Sequence, residues 1–264
     1  MTLERALLVV PVLLAAAPVA ADPTPDLDAP WACIGEEKKA KKPRSPTATY
    51  TNRLMEFRLG PPAPYAGVTV SACLREDRLC EHPVAATVAG PDGAFALELP
   101  LDKHDGFVGY LELAGAGVQP TLLFLDPITE DTHEPFVFAL RVETFLIFAA
   151  GAGVTLDPGR GHVGMAAIGC DGLPAAGVRF ESAEADAGTL RVCSGPGGVR
   201  PENSVTSLPS GHCGFFNMPL VDEVRVEAHL DDVGLTYGAF RGFCRAGYNC
   251  ELPLRPRHAS EEGR

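Results

Sequence analysis

Val224-Arg225-Val226-Glu227-Ala228-His229-Leu230 is the stretch that decides the fold. Apolar side chains occupy every second position, and charged or polar side chains occupy the positions between them. Because successive residues of a strand point to opposite faces of a sheet, this pattern predicts a half-buried β-strand.

The same alternation recurs along the chain. Ala94 to Leu99 places Phe95, Leu97 and Leu99 on one face, directly after the turn signature Pro91-Asp92-Gly93. Further strands are predicted at Thr47–Arg58, Ala66–Ala72, Phe107–Leu113, Thr121–Leu125, His162–Ile168 and Tyr237–Cys244. Short strands separated by turns, in a chain with 28 glycines and 24 prolines, indicate an all-β sandwich or barrel.

The 264 residues divide into several segments. Residues 47–127 and 161–252 are predicted to be two β-domains, and Ala176-Gly177-Val178 in the second repeats Ala66-Gly67-Val68 in the first, which suggests duplication. Residues 128–160 form the predicted joint, in which the apolar run Phe138–Ala150 favours a short helix, with a buried strand as the alternative. The flanking segments, 22–46 and 253–264, are predicted to be a linker and a polar tail.

The N-terminus predicts export. An apolar run of about 16 residues, Ala6–Ala21, ends in small residues before Asp22, so residues 1–21 have the pattern of a signal peptide. The run is shorter than the roughly 20 residues of a membrane helix, and no later stretch is long enough, so no span is expected after signal removal. Cys33 lies well past the run, which argues against a lipid anchor. We expect a protein that is extracellular or at the cell surface, with the periplasm as the alternative.

The charge limits the classes of partner. The net charge is −12, and such a surface repels nucleic-acid backbones and anionic lipid headgroups. The basic cluster between Lys38 and Arg44 is flanked by proline in an acidic chain, and it is interpreted as solvated linker. An extracellular protein or polysaccharide is the expected partner.

Eight cysteines follow the predicted signal peptide, and an even count in an exported chain indicates disulfides. Two pairs, Cys73 with Cys80 and Cys244 with Cys250, bracket short loops that are easily closed. The remaining cysteines give Cys193 with Cys213 and Cys33 with Cys170. Three cysteines precede the joint and five follow it, so at least one bridge must join the halves if all are oxidised.

The chain carries no recognisable catalytic, cofactor or metal motif. His-Glu-x-x-His, Gly-x-Ser-x-Gly, a phosphate loop and Cys-x2-Cys are all missing from the sequence. His212 adjoins Cys213, but adjacency in sequence does not build a catalytic pair. His258 and Glu261 have a zinc-ligand spacing within the polar tail, where no surrounding shell is expected to orient them. We therefore predict no catalytic residue, no cofactor and no metal.

Two other groups of residues leave alternatives open. Asp222-Glu223 and Asp231-Asp232 flank the strand Val224–Leu230, and they are interpreted as solvated loop acids, with a calcium site as the alternative. Phe215 and Phe216 are strand neighbours and point to opposite faces. Packing of both is favoured over exposure of one as a binding residue.

The order of short motifs resembles a known family. Gly161-His162-Val163, Asp171-Gly172-Leu173-Pro174 and Ala176-Gly177-Val178, with Pro91-Asp92-Gly93-Ala94-Phe95 in the first half, resemble the carboxypeptidase regulatory-like domain. That resemblance implies two tandem Greek-key β-sandwich domains of the transthyretin-like fold, with a short helical joint.

The whole chain also resembles a group of secreted bacterial proteins. The shared features are Trp31–Cys33, the Cys73–Cys80 loop and an Asp-Pro-x-Arg-Gly-His-Val joint at residues 157–163. The resemblance implies no shared activity, since such domains accompany others as spacers, folding aids or adhesion modules. The leading hypothesis is a noncatalytic secreted or cell-surface module for adhesion or assembly. The alternatives are a secreted enzyme or enzyme accessory with a site between the domains, and a structural spacer.

Overall fold

The structure is a computed structural model that describes residues 31–34, 41–58, 61–195, 198–201, 204–208, 210–231 and 235–256. The predicted signal peptide at 1–21 and most of the predicted linker and tail lie outside these residues. Strands dominate the described part of the chain, which contains a single α-helix. The predicted all-β fold class is confirmed.

The first half contributes nine strands. They are β1 Thr47–Phe57, β2 Ala63–Pro64, β3 Thr69–Leu74, β4 Ala85–Val88, β5 Ala94–Pro100, β6 Gly109–Ala114, β7 Thr121–Phe124, β8 Thr132–His133 and β9 Val137–Leu140. Helix α1, Val142–Gly151, follows directly. Within the predicted helix Phe138–Ala150, the first residues therefore complete a strand, and the rest form the helix.

The second half contributes eight strands. They are β10 Gly161–Ala167, β11 Val178–Glu181, β12 Leu190–Gly195, β13 Gly198–Arg200, β14 His212–Met218, β15 Val224–Leu230, β16 Leu235–Gly242 and β17 Asn249–Leu254. The alternating stretch Val224–Leu230 forms β15, and its apolar residues are buried, as the alternation predicts.

One large sheet runs through both halves. Its nine strands lie in the order β13-β12-β14-β10-β17-β7-β6-β3-β4. Strand β17 pairs in parallel with β10 on one side and with β7 on the other. The C-terminal strand therefore joins the two halves edge to edge by main-chain hydrogen bonds.

Two smaller sheets pack on opposite faces of this large sheet. The first small sheet consists of strands β1, β2, β5, β8 and β9, and its core includes Leu111 of β6. The second small sheet consists of strands β11, β15 and β16, and its core includes Tyr110 of the same β6. Because neighbours in a strand point to opposite faces, the two small sheets cover opposite sides. We call the side that carries Leu111 the groove face and the side that carries Tyr110 the filled face.

A buried ion pair links the halves on the filled face. The Arg245 guanidinium donates to Glu112 Oε2 at 2.7 Å, to Tyr110 Oη at 2.9 Å and to the Arg78 carbonyl at 2.6 Å. Tyr248 Oη donates to the other Glu112 oxygen at 3.1 Å. Both charged side chains are largely buried, and each has several partners, which is the arrangement that a buried pair requires.

Strand β17 also corrects the sequence reading of the C-terminus. The sequence predicts no strand after Tyr237–Cys244 and a polar tail from residue 253, whereas β17 follows at Asn249–Leu254 and Leu254 is buried. Pro253 fits because the Asn249 N–H points toward β7, and the two-residue repeat puts the Pro253 nitrogen on that same side. Pairing with β7 ends at Glu251, so the missing N–H of Pro253 costs no ladder hydrogen bond.

Candidate functional site

The eight cysteines are joined in four pairs. They are Cys33–Cys170, Cys73–Cys80, Cys193–Cys213 and Cys244–Cys250, the same pairs that the sequence predicts. Cys33–Cys170 fixes the short 31–34 segment, and Trp31 packs against the core of the filled face.

His212 and Cys213 do not form a reactive pair. They are neighbours in β14, so the His212 side chain faces the groove side while the Cys213 sulfur is bonded to Cys193 on the filled side. His258 and Glu261 lie outside the described residues.

At each end of β15 a described aspartate lies near an arginine. Asp231 accepts hydrogen bonds from Arg179 at 2.7 and 2.8 Å, and this contact lowers the pKa of Asp231. Asp222 lies 3.5 Å from Arg78 at the other end of the strand. Asp232 lies outside the described residues, and within the described ranges no group of three His, Cys, Asp or Glu side chains is placed to hold a metal.

Hydrogen bonds fix the 157–163 joint motif against the second half of the chain. Asp157 Oδ1 accepts from the Gly159 N–H at 2.8 Å and so fixes the turn. Arg160 Nη1 donates to Asp186 Oδ1 and to the Asn217 carbonyl, both at 2.8 Å. The contact with Arg160 strongly lowers the pKa of Asp186. The motif therefore ties the joint to β14 and to the loop before β12.

His162, the second residue of β10, extends this hydrogen-bond network. Its Nδ1 accepts the Asn217 N–H at 3.2 Å, while Asn217 Nδ2 donates to the Thr155 carbonyl at 2.9 Å. The ring packs against Phe145 and Phe216, with centroids 5.0 and 5.8 Å away. Burial lowers the pKa of His162 to about 4, so the imidazole is neutral at pH 7.

Phe215 and Phe216 are both buried, as their packing interpretation requires. Phe215 joins the core of the filled face, whereas Phe216 packs with Phe145, Ala149 and Val192 beneath helix α1. Helix α1 therefore covers the outer part of the groove face.

Between α1 and the first small sheet, the groove face is not fully covered. A groove of about 480 Å³ remains there, which is within the roughly 300–1,000 Å³ of ordinary ligand sites. Its floor is made by half-exposed residues of three adjacent strands: Gly164 and Ala166 of β10, His212 and Gly214 of β14, and Glu251 and Pro253 of β17. Four of these six, Gly164, Ala166, Gly214 and Pro253, have small side chains or none, which leaves space above the floor.

The opposite wall of the groove is apolar and aromatic. It is lined by Phe57, Phe136, Val137, Phe138, Leu140 and Phe148. Ring centroids lie 5.1 Å apart for Phe136–Phe138, 5.4 Å for Phe57–Phe138 and 5.6 Å for Phe57–Phe148. The rings form a continuous wall that ends at Phe136, which is 51% exposed.

A carboxylate lies within this apolar groove. Glu251 lies directly over Gly164, where a Cβ would come within 2.5 Å of Glu251 Oε1, so a larger residue there would displace the carboxylate. Asn249 Nδ2 donates to Glu251 Oε1 at 2.6 Å. Among the residues that the structure describes, Glu251 has no basic partner. Arg255, also on the groove, lies 3.0 Å from Asp126 and 3.9 Å from Glu134.

Local sequence patterns do not reveal this groove. Its floor and its wall come from strands far apart in the chain, and Glu251 looks like an ordinary polar residue near a terminus. The available signal was the alternation of Cys250, Leu252 and Leu254 with Asn249, Glu251 and Pro253, which marks a strand with one buried face.

Comparisons with known proteins find only remote likenesses. No family model and no curated protein matches the chain. Among solved structures, the shaft pilin SpaA of Lactobacillus rhamnosus GG is 11% identical with a TM-score of 0.26, over 80% of this chain and 98% of that one. The minor pilin GBS52 of Streptococcus agalactiae is 12% identical with a TM-score of 0.25, over 80% of this chain and 96% of that one. Likenesses this remote establish neither a shared fold nor a shared role.

In the described part of the chain, no helix is long and apolar enough to cross a bilayer.

Proposed function

We propose that this chain is a noncatalytic extracytoplasmic binding module, acting in adhesion or assembly at the cell surface. The observation that carries the proposal is the preformed groove between α1, the first small sheet and the floor of β10, β14 and β17. The four disulfides fit an oxidising compartment outside the cytoplasm.

His162 does not supply a catalytic base to the groove. Its Nδ1 already accepts a main-chain N–H. The other nitrogen of the neutral ring then carries the hydrogen, so the ring has no free lone pair with which to accept a proton. A secreted enzyme, the rival hypothesis, therefore requires a base on the floor itself, such as His212 or Glu251.

The family assignment and the domain boundary are proposals as well. The motif order supports two carboxypeptidase regulatory-like, transthyretin-like units that meet at residues 128–160. An extracellular protein or polysaccharide is the partner class that fits an exported module of net charge −12.

Binding of the neutral dye Nile red to the exported protein tests the groove directly. We expect saturable binding with one site per chain, because an apolar groove excludes water from the dye. Ala166→Trp fills the floor and should abolish the binding. Ala96→Trp, the same change at an exposed position of β5, should leave it intact. Equal binding to both variants would contradict the proposal.

Turnover is measured on the same protein with panels of peptides and glycans. We expect no product. Hydrolysis that disappears in His162→Gln or Glu251→Gln would establish the enzyme instead.

A further inference from the structure

We propose that the groove takes an elongated apolar molecule that carries a protonated amine, with the amine bound by Glu251. This inference rests on the proposed binding function of the groove and names the ligand class that it selects.

The space between the aromatic wall and the floor fits the apolar part of the ligand. The wall of Phe136, Phe138, Phe57 and Phe148 follows one side of the groove from its exposed mouth inward. The floor opposite it contains Gly164 and Gly214, which are paired across β10 and β14 and carry no side chains to fill the space. A narrow chain lying between the rings and this floor buries apolar surface on both sides.

The Glu251 carboxylate provides a negative charge for the amine of the ligand. Glu251 points into this apolar groove, and within the described ranges its carboxylate accepts a hydrogen bond from the Asn249 amide alone. Asn249 is itself buried, with its N–H donated to the Pro120 carbonyl, so it holds the carboxylate in place. The remaining lone pairs of Glu251 are available for a donor on the ligand, and a cation is the donor that a carboxylate binds most strongly.

A cationic side chain on the groove is already engaged by other carboxylates. Arg255 is the arginine that lines the groove, and it is held at the rim by Asp126 and Glu134. Because Arg255 engages both of these carboxylates, Glu251 is the carboxylate left for a cation among the described groove residues. The net charge of −12 disfavours a fatty acid. The site therefore selects an amine over an alcohol or a carboxylate of the same chain length.

The experiment measures displacement of Nile red from the wild-type protein at pH 7 by decylamine, decanol and decanoic acid, each below its aggregation concentration. We expect decylamine to bind about tenfold more tightly than decanol, as a charge-assisted hydrogen bond provides, and decanoic acid to bind more weakly than either. Octylamine should bind about 16-fold more weakly than decylamine, since each methylene contributes about fourfold.

Glu251→Gln keeps the shape of the side chain and removes its charge. The variant should bind decylamine and decanol equally while it still binds Nile red. Glu98→Gln, an exposed change on β5, should keep the wild-type preference.

Equal binding of the three ten-carbon compounds to the wild type overturns the amine assignment but leaves the binding groove. The same holds for a preference that survives Glu251→Gln. Absence of Nile red binding, or Nile red binding that falls as the chain self-associates, overturns the groove itself. The wild-type comparison needs no variant, so a Glu251→Gln protein that fails to fold leaves the test intact.

Discussion

The two faces of strands β10 and β17 are built from neighbouring residues and differ sharply in packing. On the filled face, Met165 and Leu252 are buried against the second small sheet. One position away, on the groove face, Ala166 and Glu251 are half-exposed. The strands are the same, so the difference arises from side-chain size and from what lies opposite. One face stabilises the fold, and the other leaves room for a ligand.

The largest difference in stability between the faces is expected when an arginine is substituted on each of them. Arg245→Met should lower the free energy of unfolding by about 3–5 kcal/mol, because Glu112 is left as a buried and uncompensated charge on the filled face. Arg255→Met at the groove rim is the matched control. Its ion pairs are exposed, so it should cost about 1 kcal/mol or less. Urea unfolding of both variants measures the difference, and similar losses would remove the distinction between the faces.

The free energy of unfolding is expected to depend on pH through His162. Its folded pKa, about 4, lies below the unfolded value of about 6.5. The unfolded chain therefore takes up a proton first as the pH falls. The contribution of His162 is complete above pH 6.5 and is lost between pH 6.5 and 4, by up to about 3 kcal/mol.

His162→Gln keeps an acceptor and removes the titration. Its loss of stability between pH 7 and 4.5 should be smaller than that of the wild type, as measured by urea midpoints at each pH. Identical pH profiles would show that the ring is not held neutral.

The same substitution at adjacent alanines separates the faces by volume. Ala167→Met enlarges a fully buried residue of the filled face and should cost about 1–3 kcal/mol. Ala166→Met extends into the groove and should change stability by no more than about 0.5 kcal/mol. Thermal unfolding of the pair checks this, and a larger cost at Ala166 would mean that the groove is closed.

The smallest effect on stability is expected at the site itself. Glu251→Gln keeps an oxygen that accepts from Asn249, so the free energy of unfolding should change by about 0.5 kcal/mol or less. A loss of more than about 2 kcal/mol in denaturant titrations would assign Glu251 to the fold rather than to a ligand.

Local patterns in the sequence predicted the strands well. The alternation in β15 and β5 reports burial on one face, and this follows from strand geometry alone. The cysteine pairs were accessible for a similar reason, since loop length restricts Cys73 with Cys80 and Cys244 with Cys250. Helix α1 was indicated by its apolar run and ends at Gly151, one residue past that run.

Pairing between distant strands was not predictable from these patterns. Alternation shows that β17 has a buried face, but not that it lies between β10 and β7. Pro253 is compatible with a strand between two others because its nitrogen lies on the β7 side, past Glu251, where the pairing with β7 ends. The groove depends on that placement, because Glu251 reaches the floor only through β17.

The most direct test of the account is an NMR measurement of intermolecular nuclear Overhauser effects between bound decylamine and methyl-labelled protein. The account predicts contacts from the decyl chain to the Ala166, Val137 and Leu140 methyl groups, and none to Met165 or Leu252. Contacts to Met165 and Leu252, or saturable binding without contacts to Ala166, would contradict it.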